Sequence, residues 1–187
     1  MSSLELAKEM EAKHPNLYVL KYRALEPLLI KMRDRTTTHM QFKHYADRLM
    51  SLLHAAISCD PTIAVGKILI QRDESSDDKH PVMYYSKLPP SVATFENVLV
   101  VDPMLGTGGS ITMAIKTLLA AGVDENRITF LNVLSCPEGL AALFSAHPNV
   151  KVVTAGVDRG LNEAKYLVPG IGDFGDRYFN TVHSHYP

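Results

Sequence analysis

The stretch VLVVDPMLGTGGSITMAIKTLL, residues 98–119, joins a short apolar run to an amphipathic run through a glycine-rich turn. The apolar run is typical of a buried strand, which we place at 97–101. A helix is predicted over 109–121, closed by Gly122. Strand, glycine-rich turn and helix in this order indicate an α/β protein that binds its ligand at the carboxyl end of the strand.

The turn between this strand and helix favours an anionic ligand. Gly106, Gly108 and Gly109 let the backbone approach a ligand closely, and the free amides and dipole at a helix start attract phosphate. Thr107 and Ser110 add hydroxyl donors. We therefore predict a phosphate site, and we expect Gly108→Val to block the phosphate by filling the space that the backbone needs.

The absence of two motif residues narrows the class of phosphate ligand. A Walker-type loop needs a lysine directly before its Ser or Thr, but Gly109 precedes Ser110 and the next lysine is Lys116. The dinucleotide fingerprint needs a third glycine where this chain has Ile111. Asp102, which ends the strand, is placed to accept hydrogen bonds from sugar hydroxyls. The turn therefore predicts a ribose-phosphate site.

The chain continues this alternation of strands and helices. Residues 128–134 are predicted to form a strand, Pro137 to about His147 a helix, and KVVTA (151–155) another strand. Such a series predicts a mostly parallel sheet with right-handed crossovers and ligands at the carboxyl ends of its strands.

Helical and strand patterns also precede this series. In THMQFKHYADRLMSLLHAA (38–56) apolar residues recur every three or four positions, which predicts an amphipathic helix. IAVGKILI (63–70) and VMYYSKL (82–88) are rich in strand-forming residues and flank the polar stretch ESSDDKHP (74–81). These segments predict a strand, a loop and a second strand.

The carboxyl-terminal segment breaks the pattern. GVDRGLNEAKYLVPGIGDFGDRYFN (156–180) contains five glycines and one proline, which favours an ordered loop, and long ordered loops in compact domains are usually functional. We expect a single domain with a helical region at 1–56, an α/β core at 63–154, and a loop and tail at 155–187.

Composition excludes several classes of protein. The chain has 19 Lys and Arg against 20 Asp and Glu, so it has no basic footprint for nucleic acid. No apolar run approaches the roughly 20 residues that cross a bilayer, and Cys59 and Cys136 are too few for a disulfide-stapled scaffold. We expect a soluble, cytoplasmic protein with neither nucleic acid nor membrane as partner.

Two stretches resemble a known family. VVDPMLGTGGS (100–110) resembles the phosphoribosyl-pyrophosphate (PRPP) loop of uracil phosphoribosyltransferases, and LNEAKYLVPGIGDFGDRYF (161–179) resembles their uracil-binding loop. The resemblance implies a phosphoribosyltransferase-like α/β fold, with a mostly parallel twisted sheet flanked by helices and a small hood formed by the carboxyl-terminal loop region. It also implies a transferase of pyrimidine salvage that makes UMP and pyrophosphate from uracil and PRPP.

The resemblance assigns roles to individual positions. Catalytic roles would fall on Arg72, by offsetting phosphate charge, and on Asp102. Uracil would contact Leu167, Gly172, Asp173 and Phe174. Contacts to PRPP would be made by Arg72, Asp102, Pro103, Met104, Leu105, Gly106, Thr107, Gly108, Gly109, Ser110 and Asp173. No residue is assigned to a metal, because the implied Mg²⁺ would be bound mainly by PRPP oxygens and water.

Structural roles for the same residues stay open at this point. Asp102 could cap the turn that follows it, Arg72 could be an ordinary surface arginine, and Phe174 and Tyr178 could be core aromatics. Cys136 is expected to be a small buried residue. The resemblance further implies a homo-oligomer, dimer or tetramer, and activation by GTP in some members.

One departure from the family concerns the segment after SLLHAA (51–56). Family members carry several dozen further residues there, including a strand beside the one that ends at Asp102 and a turn whose arginine contacts PRPP. This chain runs directly into ISCDPTIAVGKILIQRDE (57–74). The alternative hypothesis is therefore a catalytically impaired PRPP- or nucleotide-binding paralogue, or a splice product, with a regulatory role. A transferase for another base is disfavoured by YLVPGIGDFGDR (166–177).

Overall fold

The computed structural model describes residues 3–55, 63–72 and 80–181. Its helices are α1 Ser3–Lys13, α2 Leu25–Arg33, α3 His39–Ala55, α4 Gly109–Ala120, α5 Pro137–Ala146 and α6 Phe174–Phe179. Its strands are β1 Leu17–Val19, β2 Lys67–Arg72, β3 Pro81–Lys87, β4 Val98–Val101, β5 Met104–Leu105, β6 Ile128–Ser135, β7 Lys151–Val157, β8 Gly160–Leu161 and β9 Leu167–Val168. The predicted α/β fold class is confirmed.

The central sheet is parallel, with strand order β1-β7-β6-β4, and the short β5 pairs with the end of β6. The strands β4, β6 and β7 therefore end at the same edge, as the alternating pattern predicts. The region 1–56 contains the helices α1, α2 and α3, and β1 adds a short strand beside β7 that the helical pattern did not predict. A three-residue strand is too short to carry a period that distinguishes it from a loop.

Helices cover both faces of the sheet. Along β6, Ile128 and Phe130 are buried in the cluster with α1, α4 and α5, whereas Leu131 and Val133 are buried in the cluster with α2 and α3. A strand with helices on both faces needs an apolar residue at nearly every position. This requirement explains why five of the eight residues of β6 are buried apolar residues.

The strand β4 forms an edge of the described sheet. Its backbone pairs with β6 on one side, and the described residues place no strand on its other side. Val98 and Val100 pack against the core, while Leu99 and Val101 are 37% and 67% exposed. The expectation of a buried strand at 97–101 is therefore wrong for one face, because nothing in the described residues covers it there.

The hairpin of β2 and β3 forms a separate antiparallel sheet beside α4. It confirms the two strands predicted before residue 97, whereas residues 74–79 of their connection lie outside the described residues. After β7, the short pair of β8 and β9 and the helix α6 build the expected carboxyl-terminal hood. No helix among the described residues is long and apolar enough to cross a membrane.

Candidate functional site

The glycine-rich turn follows β4 and is anchored to β6. We call residues 105–110 the phosphate loop. The backbone N–H of Asp102 donates to Leu131 O over 3.3 Å, and Pro103 O accepts from the N–H groups of Val133 and Leu134 over 3.0 and 3.1 Å. The backbone ahead of the loop is thereby held at the carboxyl edge of the sheet, where the sequence predicts the ligand.

The phosphate loop ends at the amino terminus of α4. Gly108 is the N-cap with a φ of 82°, a left-handed conformation that favours glycine, and no side chain caps this helix start. Uncapped amide groups and the helix dipole make such a terminus suited to an anion. A cavity of about 360 Å³ opens beside it, lined in part by Thr107, Gly109, Thr112 and Lys116.

The space next to Gly108 is closed on one side by α5. A Cβ there would lie 3.2 Å from the Cβ of Ala142 and 3.3 Å from Gly139 O, both in α5. A substitution would therefore strain the turn and press on α5, and the block of phosphate binding by Gly108→Val stays a prediction. The local sequence carried no signal for this contact, because α5 follows about 30 residues later.

The first turn of α5 supports the phosphate loop from the core side. The Sγ of Cys136 donates weak hydrogen bonds to Leu105 O and Gly106 O, at 3.5 and 3.3 Å. Burial raises the pKa of this thiol to about 12, so it stays protonated. A Cβ on Gly139 would lie 2.3 Å from Gly106 O. Gly139 was missed by the sequence reasoning, although glycine inside a helix often marks a close approach of another backbone.

Arg72 ends β2, and its backbone pairs with Pro81 of β3. The Cγ of Pro81 lies 3.3 Å from the place that a Cβ on Gly109 would take. The end of the hairpin therefore lies against the start of α4, next to the phosphate loop. The side chain of Arg72 is outside the described residues, so its role stays a prediction.

We call residues 158–173, which follow β7, the base loop. Leu167 is buried in β9, and Gly172 is exposed with a φ of 74°. Asp173 is exposed and caps α6, because its Oδ1 accepts from the N–H of Asp176 over 2.9 Å. Asp173 therefore has a structural role as a helix cap, and its second carboxylate oxygen is not used by this cap.

Phe174 and Tyr178, which follow the base loop, pack toward the core. The Phe174 ring meets Phe42 edge-on at 5.7 Å and stacks on Tyr178 at 5.4 Å. Tyr178 donates a 2.6 Å hydrogen bond to Asp47, which also accepts from Lys43 over 2.7 Å. These two hydrogen bonds lower the pKa of Asp47. The core role considered for both aromatics is thus present, and a contact of Phe174 with uracil stays a prediction.

The first turn of α5 contacts both loops. Gly139 faces Gly106 of the phosphate loop, and Glu138 Oε1 accepts from the N–H of Leu161 in the base loop over 3.2 Å. The two predicted ligand segments are therefore neighbours at one edge of the sheet, although Gly106 and Leu161 are 55 residues apart in the sequence. Within the described parts of the chain, no group of three or more His, Cys, Asp and Glu could hold a metal ion.

Comparisons with known proteins agree with this arrangement. A family model described as uracil phosphoribosyltransferase matches residues 50–181. The chain is 50% identical to the uracil phosphoribosyltransferase of Dictyostelium discoideum over 119 residues, which are 64% of this chain and 54% of that protein. It is 49% identical to that of Saccharomyces cerevisiae over 121 residues, 65% of this chain and 55% of the relative. In each of these two matches, the chain thus covers about half of the relative's full length.

A longer match runs to uracil phosphoribosyltransferase 1 of Schizosaccharomyces pombe, with 35% identity over 214 residues, 90% of this chain and 96% of that protein. The alignment is 214 residues long, but only 90% of the 187 residues of this chain take part in it. Several dozen positions of the relative therefore lack a counterpart in this chain. The AQ2163 protein from Aquifex aeolicus has the same fold, with a TM-score of 0.71 at 20% identity over 90% of this chain and 100% of that one. The extent of the family match and the order of the two loops lead to one conclusion: this chain belongs to the uracil phosphoribosyltransferase family.

Proposed function

We propose that the chain transfers the ribosyl 5-phosphate group from PRPP to N1 of uracil, producing UMP and pyrophosphate. The observation that carries the proposal is the shared contact of both loops with the first turn of α5, through Gly139 on Gly106 and Glu138 on Leu161. A sugar phosphate on the first loop and a pyrimidine on the second would be held side by side. Such positioning supplies much of the rate of a two-substrate transfer.

The proposed transfer depends more on stabilisation of charge than on a nucleophilic side chain. The sugar C1 gains carbocation character as the bond to pyrophosphate breaks, and negative charge grows on the leaving group. Amides of the phosphate loop would bind the 5-phosphate, and Asp102 would orient the ribose by accepting from its hydroxyls. Arg72 would offset the pyrophosphate charge. No nucleophilic side chain is needed for this transfer.

Selection of uracil would rest on the backbone of the base loop. Uracil presents an acceptor, a donor and an acceptor along one edge, which amides and carbonyls near Leu167, Gly172 and Asp173 could complement. Cytosine carries an amino group in place of O4, so it would leave a backbone donor unpaired. Mismatched buried polar groups discriminate strongly.

A magnesium ion is part of the proposal only as a companion of PRPP. Because the described residues offer no cluster of metal ligands, the ion would be held by PRPP oxygens and water. When bound, it would neutralise charge on the pyrophosphate. The family resemblance also supports activation by GTP, a homo-oligomer and a cytoplasmic location as proposals, which rates with and without GTP, sedimentation and cell fractionation would test.

A second candidate function is binding of PRPP or a nucleotide without turnover. The open edge of β4 and the missing counterpart of several dozen positions favour it. In the family, the absent segment contributes an arginine that contacts PRPP. Loss of one preorganised charge of this kind reduces rate by about 10²- to 10³-fold.

A direct assay separates the two candidates. Purified protein is incubated with PRPP, Mg²⁺ and labelled uracil, and UMP is measured, with cytosine as the matched control base. Formation of UMP from uracil but not CMP from cytosine is the result expected of the enzyme. No UMP, together with a PRPP-dependent rise in melting temperature, would assign the binding function instead.

A further inference from the structure

A partly buried ion pair contacts the base loop, between Arg33 and Asp158. Asp158 follows directly after β7, and its side chain is only 1% exposed. Arg33, the last residue of α2, donates to it through both terminal nitrogens, from Nη2 to Oδ1 over 2.6 Å and from Nη1 to Oδ2 over 3.1 Å. This two-point geometry fixes the orientation of both side chains as well as their distance.

The same pair holds the backbone of the base loop at Gly170. Arg33 Nη1 also donates to Gly170 O over 2.9 Å, and the Gly170 N–H donates to Asp158 Oδ2 over 2.9 Å. Both polar backbone groups of Gly170 are therefore occupied by this pair. The turn there is tight, since Gly170 has a φ of 65° and a Cβ on it would lie 2.3 Å from Leu167 O.

A second arginine ties the far end of the base loop to the same part of α2. Arg177 donates to Ile171 O over 2.8 Å, to Asp34 O over 2.9 Å and to Met32 O. Its guanidinium also lies over the Phe42 ring, 4.2 Å from the ring centre. The end of α2 thus acts as a fixed support for the segment from Gly170 to Asp173.

We propose that Arg33, acting through Asp158, is a positioning residue for the pyrimidine base: it sets the path of the base loop from Gly170 to Gly172 and thereby the affinity for uracil. The inference rests on the proposed function. Arg33 touches no part of the phosphate loop in the described contacts, and Asp173 is held separately as the N-cap of α6, so PRPP binding should not depend on Arg33. Arg33 also lies outside residues 50–181, the part of the chain that the family model matches.

The test compares Arg33→Lys, Arg33→Met and Asp158→Asn with the control Arg127→Met. Arg127 pairs with Asp124 over 3.0 Å at an exposed site that neither loop contacts, so its loss removes an arginine–aspartate pair away from the proposed site. Steady-state kinetics give KM for uracil and for PRPP, and calorimetric titration gives the affinity for UMP without turnover. Melting temperatures record any general loss of stability.

For Arg33→Met we expect a KM for uracil about 10- to 100-fold higher, with KM for PRPP within about twofold, because the displaced segment from Gly170 to Gly172 includes a predicted uracil contact and no predicted PRPP contact. Arg33→Lys keeps the charge without the two-point contact, so its KM for uracil should lie between those of the unaltered chain and Arg33→Met. The control should match the unaltered chain in both constants. UMP affinity should fall in parallel with uracil recognition.

The outcomes separate this inference from the proposed function. Equal increases in both KM values, or a lower melting temperature with both constants unchanged, would reduce Arg33 to a purely structural role and overturn the inference. If the unaltered chain makes no UMP but binds it, the proposed function fails, and the UMP affinities of the variants still decide the inference. If the unaltered chain makes no UMP and binds none, both fail.

Discussion

Gly139 in α5 approaches Gly106 in the phosphate loop so closely that a Cβ on Gly139 would lie 2.3 Å from the Gly106 carbonyl oxygen. The substitution Gly139→Ala must therefore displace one of the two backbones. We expect a KM for PRPP about 10- to 100-fold higher, since misplacement of the loop disturbs phosphate binding, and a loss of about 1–3 kcal/mol in the free energy of unfolding. Steady-state kinetics and urea unfolding measure the two effects.

Gly160→Ala is the control for this prediction. A Cβ there would meet Glu138 Oε1 at 2.8 Å, but this oxygen ends a flexible side chain that can move away. PRPP affinity should stay unchanged. If Gly139→Ala also leaves the affinity unchanged, the phosphate loop does not depend on α5.

Asp102→Asn tests the role of the carboxylate next to the phosphate loop. The amide keeps the shape of the side chain but removes the charge, and a hydrogen bond to a charged group contributes about 1.5–3 kcal/mol. We expect PRPP affinity to fall about 10- to 100-fold with little change in melting temperature. Asp124→Asn alters an exposed aspartate paired with Arg127 and serves as control. Equal PRPP affinity in both variants would remove Asp102 from the ribose site.

Two valines of β4 test whether its outer face is open in solution. Val101 is 67% exposed, while Val100 packs against the core. Val101→Thr should change the free energy of unfolding by less than about 0.5 kcal/mol, whereas Val100→Thr should cost about 1 kcal/mol or more because it places a hydroxyl against apolar neighbours. Urea unfolding measures both. A large cost at Val101 would mean that another segment or a second chain covers this edge.

The thiol of Cys136 should resist alkylation in the folded protein. Burial raises its pKa to about 12, so at pH 8 the reactive thiolate is nearly absent, and the side chain is fully buried. We expect iodoacetamide at pH 8 to label Cys136 only after unfolding in urea, as followed by peptide mass spectrometry. Rapid labelling of the native chain would show that the contact of Cys136 with the phosphate loop opens readily.

His14 should make stability depend on pH. Burial, with a smaller contribution from Lys13, lowers the pKa of His14 below its ordinary value of 6.5. The unfolded chain therefore binds the proton more readily, so this contribution to stability is present above pH 6.5 and is lost as the pH falls below it. Urea unfolding between pH 7.5 and pH 5 should show a smaller drop in His14→Phe, which keeps the ring stacked on Phe144. His54→Gln, at an exposed histidine of α3, should retain the full drop.

The local order of the central strands and helices could be predicted from the sequence. The strand, turn and helix of residues 98–119 follow from apolar period and glycine content, which act within a few residues. The same patterns located both loops, because the carboxyl ends of parallel strands meet at one edge of the sheet.

Other features could not be predicted from local pattern. The pairing of β1 with β7, the exposure of Val101 and the approach of Gly139 to Gly106 each depend on a partner far away in the chain. The contact of Gly108 with α5 depends on a distant partner as well. None of these positions carries a period or motif of its own.

The sequence by itself determined the strands and helices of the central series, β4, α4, β6, α5 and β7, since backbone preference and apolar period are properties of neighbouring residues. Only the tertiary structure decided what supports the two predicted ligand loops. Arg33 and Asp158 are 125 residues apart and carry no joint signal, yet packing of α2 against the end of β7 brings their side chains within 2.6 Å. The contacts that support the two loops arise from such long-range packing, whereas the residue types within the loops are given by the local sequence.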